Sequence, residues 1–151
     1  MSYDREQAYV LAQLNRRRQL KEECLRESAE AERGVFNKRR ERIRAVSEKL
    51  QGLYAVAEEL PEGMNWAALL NREAEELEQL RKEERSAFDD MPREALASSV
   101  GENCRTCLLL LGGAIGLLRK TGETAQDSDR GALKARLSEI SYLLYDAGTP
   151  I

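Results

Sequence analysis

Cys104 and Cys107, spaced Cys-x-x-Cys, are the residues of this chain whose types and separation most suggest chemistry. That spacing serves a redox dithiol or half of a zinc site. Zinc wants four ligands, and only Cys24 and carboxylates could complete this set. A redox dithiol is ordinarily held at a helix N-terminus behind a strand, and no strand pattern precedes this one. Both thiols also fall in the apolar series Leu96, Val100, Cys104, Cys107, Leu108, Leu111, Ile115 and Leu118, which follows helical spacing. They are expected to be buried small hydrophobes, with no metal role.

The rest of the inventory argues against catalysis. The chain contains no histidine, which removes the commonest general base and every Ser-His or Cys-His nucleophile. Adjacent carboxylates abound (Glu22-Glu23, Glu58-Glu59, Glu75-Glu76, Glu83-Glu84, Asp89-Asp90), but neighbours in a helix point to different faces. A dimetal bundle site would need Glu-x-x-His pairs that this chain cannot supply. Gly112-Gly113-Ala114-Ile115-Gly116 lacks the Lys-Ser/Thr and the preceding strand of a phosphate-binding loop. Gly112-x-x-x-Gly116 reads instead as a place where another helix packs closely. We expect no enzyme activity, no catalytic residue and no cofactor.

Charge carries the stronger signal. From Asn15 to Lys49 there are twelve Lys/Arg against seven Glu, and from Glu58 to Asp90 four against eleven Asp/Glu. A basic segment is followed by an acidic one, as two helices lying against each other or against charged partners would have. Arg16-Arg17-Arg18 and the run from Lys38 to Arg44 are dense, yet consecutive residues step around a helix rather than lining one stripe. Arg40 and Arg44 are expected on one flank of a seam, with Lys38, Arg42 and Lys49 on the other. Phosphates could be met from such a flank. No aromatic platform for stacked bases lies nearby.

The elements that position these groups read as helices. The first proline is Pro61, and breaks at 60–63, 89–92 and 121–129 leave helices at about 4–60, 65–89, 92–120 and 129–146. Asn65, then Asp90 with Pro92 in the first turn, then Asp127, Ser128 or Asp129 are the expected N-caps, and Gly122 an expected terminator. From Phe36 a heptad sets Phe36, Ile43, Leu50 and Ala57 in one row and Val46, Leu53 and Leu60 in the other, with Arg39 in an apolar slot. The second helix carries Trp66, Leu69, Leu70, Leu77, Leu80, Ala87 and Phe88, interrupted by Glu73 and Glu84. Folding back at 61–64 pairs positions that sum to about 125. Arg39 therefore falls opposite Glu84, as a register-setting ion pair. Leu133, Leu137, Ile140 and Leu144 give the last helix its apolar face. The fold class is all-α: a long antiparallel hairpin with two further helices completing a bundle.

Residues 1–33 form a polar helical arm and 34–151 the bundle in this reading. Tyr9, Val10, Leu11 and Leu14 make a small apolar cluster, and 15–33 offers little beyond Leu20, Cys24, Leu25 and alanines. A helix with so weak a face draws its stability from a partner. Val10, Leu14, Arg17, Arg18, Leu25, Arg40 and Arg44 are the expected partner-binding residues. Charged residues make up 34% and aromatics 5%, a bundle-like balance, and the net charge of −3 argues against general attraction to polyanions. The N-terminal residues lack a signal-peptide pattern, and the longest uncharged run, Thr106 to Leu118, is thirteen residues, too short for a bilayer. Three cysteines without an export signal point to a reducing, cytoplasmic setting.

The C-terminal part is loosely similar to the small all-helical subunits of multi-subunit CRISPR effector complexes. The likeness lies in a proline-started helix at Pro92, Gly101, the leucines from Leu108 to Leu118, a turn at Lys120-Thr121-Gly122, and a leucine/tyrosine helix closing with Tyr142-Leu143-Leu144-Tyr145. It implies a nucleoprotein subunit touching the nucleic-acid backbone through residues 16–18 and 38–44. The primary expectation is a non-enzymatic helical interaction or adaptor protein that binds a protein partner or itself, with no membrane role and with nucleic acid the less favoured ligand.

Overall fold

The computed structural model describes residues 2–125 and 129–151, and the backbone alone at residues 2, 3, 25, 28, 29 and 32. The described elements are all helical: α1 (Ser2–Val56), α2 (Trp66–Asp89), α3 (Arg93–Leu96), α4 (Ser99–Thr124) and α5 (Arg130–Ala147). The chain divides into two compact units, Met1–Val35 and Phe36–Ile151.

In the second unit, residues 36–56 of α1 run antiparallel to α2. Lys49 lies 3.7 Å from Glu76, Arg42 3.2 Å from Glu83 and Arg39 2.9 Å from Glu84, so the ion pairs step in opposite directions along the two helices. The heptad rows bury as spaced: Ile43, Val46, Leu50 and Ala57 are fully enclosed. Ile43, Val46 and Leu50 join Leu70, Leu77 and Leu80 of α2, Leu111 and Leu118 of α4, and Leu137, Ile140 and Leu144 of α5 in one core. Each such leucine or isoleucine contributes roughly 1.5–3 kcal/mol by burial, and that shared core makes the second unit a bundle.

The turn after α1 begins earlier than expected. The helix ends at Val56, and its last carbonyl accepts from Glu59 and Leu60 N–H at 2.9 and 3.1 Å. Gly63 then adopts φ 82°, a left-handed conformation that side chains resist. Arg130 at the start of α5 closes the turn by donating to the carbonyls of Ala57, Leu60 and Pro61 at 2.5, 3.2 and 3.2 Å. Asn65 caps α2 by accepting from Ala68 N–H at 3.1 Å. Asp129 does the same for α5 from Ala132 N–H at 3.1 Å, while Asp127 and Ser128 lie outside the described residues.

The expected third helix is in fact two. Asp90 closes α2 rather than opening the next helix, and Pro92 stands as N-cap of the short α3 without a side-chain hydrogen bond. Ser98 then starts α4: its hydroxyl accepts from Val100 N–H at 3.2 Å. The break is built on Gly101, where a side chain would run into the backbone of Leu96. Gly122, expected to end the helix, lies buried inside α4 against Ala67 of α2, so it serves close packing and the helix continues to Thr124. Lys120-Thr121-Gly122 is accordingly helical, not a turn.

In the first unit the backbone is helical from Ser2, and every described side chain from Asp4 to Val35 is exposed. No described helix is long and apolar enough to cross a membrane.

Candidate functional site

The polar interruptions of the two seams meet inside the second unit. Arg39 Nε donates to Glu84 Oε2 at 2.9 Å, with Glu84 fully buried. Arg40 Nη1 lies 2.7 Å from the same oxygen. Arg40, expected on a solvent-facing flank, is wholly enclosed instead, and its Nη2 donates to Asn103 Oδ1 at 2.6 Å. The reason is the third layer. In a two-helix seam the position after Arg39 faces water, whereas here α4 packs over it and presents Asn103. The guanidiniums of Arg39 and Arg40 also stand over the Phe36 ring at 4.6 and 5.9 Å.

Two cations thus converge on one buried carboxylate. Among the described residues, Arg39 Nη2, Arg40 Nε and Glu84 Oε1 are buried without a hydrogen-bond partner. Such a cluster strongly disfavours losing any one member. Sliding α1 against α2 would leave these charges unpaired in the core.

Cys104 and Cys107 line the same interior and are free thiols. Burial, reinforced by the charge of Glu84, pushes the Cys104 thiol up to about 11 despite Arg40. Burial likewise pushes Cys107 up to about 12. Protonated thiols are poor nucleophiles and poor ligands. Among the described residues no cluster of three or more Cys, Asp or Glu is arranged to hold a metal.

Arg44 is half-buried rather than free: its guanidinium lies 4.2 Å over the Tyr145 ring, and its Nε donates to the Tyr145 carbonyl at 3.4 Å. Nearby, Ser47 Oγ donates to Ser141 O at 2.7 Å and Ile151 N–H to Asn37 Oδ1 at 2.8 Å, tying the last helix and tail to α1. Sequence reasoning missed Asn103, Arg130 and the inward turn of Arg40. The density of arginine on α1 was the available signal, but which arginines face inward depends on where α4 lies.

The remaining partner-binding candidates lie in the first unit. Val10 and Leu14 are 54% and 55% exposed, beside Tyr9, Leu11 and Leu20, which are also more than half exposed. Arg17 and Arg18 are exposed, and the Leu25 side chain lies outside the described residues. No family model matches the chain, and neither a curated protein nor a solved structure does.

Proposed function

We propose that this chain is a non-enzymatic helical interaction protein, a subunit or regulator of a larger assembly that engages a protein partner through its N-terminal helical segment. The exposed run of Tyr9, Val10, Leu11, Leu14 and Leu20 carries the reading. A helix showing this many large apolar side chains to water draws its order from association. The charged residues between them give such a face specificity and solubility at once. Arg16, Arg17 and Arg18 sit within the same stretch, so an acidic rim on the partner suits it.

The nucleoprotein alternative is weakened by the fate of Arg39 and Arg40. Both are held on Glu84 and Arg44 is engaged with Tyr145, which leaves the 38–44 cluster with the exposed Lys38 and with Arg42, itself paired with Glu83, for any phosphate. A capture experiment from the native host separates the two readings. A partner protein should survive nuclease and about 0.5 M salt, because an apolar face is little screened, and should be lost with Val10→Glu/Leu14→Glu. Material released by nuclease or by salt alone would favour the nucleoprotein reading.

A further inference from the structure

Helix α4 keeps one face open, and its composition is peculiar. Glu102, Thr106, Leu109, Gly113, Gly116 and Lys120 are all exposed. They recur at alternating steps of four and three, which places them in one stripe with heptad spacing. Leu109 is 77% exposed, the most of any large hydrophobic described. No charge interrupts the stripe between its two ends.

The glycines make the face informative. Gly112 and Gly122 have close neighbours, since the Arg81 guanidinium and Ala67 Cα lie 3.4 Å from where a Cβ would stand. Gly113 and Gly116 have none: nothing lies within 4 Å of the same position. Each lowers helix stability relative to alanine, and no contact among the described residues offsets that loss. A backbone approaching from outside would.

We infer that α4 pairs antiparallel with α4 of a second copy of this chain, seating Leu109 on Gly113 of that copy. This deepens the reading of the chain as a helical interaction protein by naming one partner, and it draws on different residues from the N-terminal segment. The register follows from complementarity. With Leu109 on Gly113 of the second copy, Thr106 falls on Gly116 and Glu102 on Lys120, and the two-fold axis repeats each layer. Every large residue meets a small one and each end charge meets its opposite. A parallel pairing would set Glu102 against Glu102, Lys120 against Lys120 and leucine against leucine over empty glycine layers. The flanking arginines are drawn back onto their own chain: Arg105 Nη2 donates to the Leu96 carbonyl at 2.9 Å, and Arg119 Nη2 lies 3.8 Å from Glu78.

Sedimentation velocity on the full chain over about 1–100 µM tests this. A concentration-dependent dimer is expected. Glu102→Lys and Lys120→Glu should each weaken it roughly tenfold, because two symmetric pairs turn repulsive, and the double reversal should restore it. Gly113→Leu should abolish the dimer while raising the melting temperature of the monomer, which distinguishes interface loss from misfolding. A monomer at every concentration would overturn the inference, as would a double reversal without rescue or a dimer indifferent to Gly113→Leu. Those results would leave the N-terminal reading standing, whereas insensitivity of partner capture to Val10→Glu/Leu14→Glu would remove that reading and leave the α4 pairing intact.

Discussion

Arg40 Nη1 lies 2.7 Å from Glu84 Oε2, and neither side chain is more than 1% exposed. Because Arg39 shares the same oxygen at 2.9 Å, Glu84 is the hub and the arginines are unequal spokes. Glu84→Leu strands two buried cations and should destabilise the fold by about 3–5 kcal/mol. Arg39→Leu leaves Arg40 on the carboxylate and should cost on the order of 1–2 kcal/mol. Replacing all three by apolar residues should recover much of the loss. Urea denaturation of the set checks the ranking; equal effects for Arg39→Leu and Glu84→Leu, or no coupling between the two positions, would contradict the shared-oxygen geometry.

The thiols give a pH dependence with a definite sign. Folding raises Cys104 to about 11 and Cys107 to about 12 from an ordinary value near 9. Below 9 both states hold the protons and the stabilisation is fully present. Above 9 the unfolded chain ionises first, so stability falls as pH rises, until the folded thiols ionise too. The loss approaches about 1.4 kcal/mol per thiol for each pH unit in that window. Comparing wild type with Cys104→Ala/Cys107→Ala between pH 8 and 10.5 isolates this slope from that of lysine; parallel curves would mean the thiols titrate normally. Both thiols should also react slowly with a thiol reagent until denaturant is added.

Heptad spacing made the hairpin legible, and the Arg39–Glu84 pairing follows from spacing about a short turn. What spacing alone does not carry is the third layer. Arg40 turns inward only because α4 lies over it, and Asn103 matters only through Arg40. The break at Ala97–Ser98 escaped for a similar reason: proline-led helix signals ran through it, while Gly101 acts through a contact with Leu96. The exposed residues of the N-terminal segment were foreseeable from its weak apolar face, because amphipathicity is local.

Hydrogen exchange should separate the stretches of α1. Residues 43–50 alternate buried and exposed positions against a packed core, while every described side chain at 4–24 faces water. Amides at 4–24 should exchange far faster than those at 43–50, because local opening there exposes little apolar surface. Addition of a cognate partner should slow the first set selectively. Equal protection of the two stretches in dilute, partner-free protein would remove the basis for an interaction segment at 4–24.

Glycine substitutions should change sign along the chain. Gly52 is an exposed helical position with nothing within 4 Å of a Cβ, so Gly52→Ala should stabilise the fold by about 0.5–1 kcal/mol through helix propensity. Gly101 is equally helical, yet an added methyl would collide with the Leu96 carbonyl, which belongs to the backbone and cannot rotate away. Gly101→Ala should therefore cost about 1–3 kcal/mol, the usual range for overpacking. It should also separate α3 from the start of α4, so exchange should rise at Ala97 N–H and Ser98 N–H, which bond back to Arg93 and Ala95 at 3.2 and 3.1 Å. Thermal melts of the two variants read the opposite shifts directly, and a gain in melting temperature for Gly101→Ala would show that the α3–α4 corner does not require glycine.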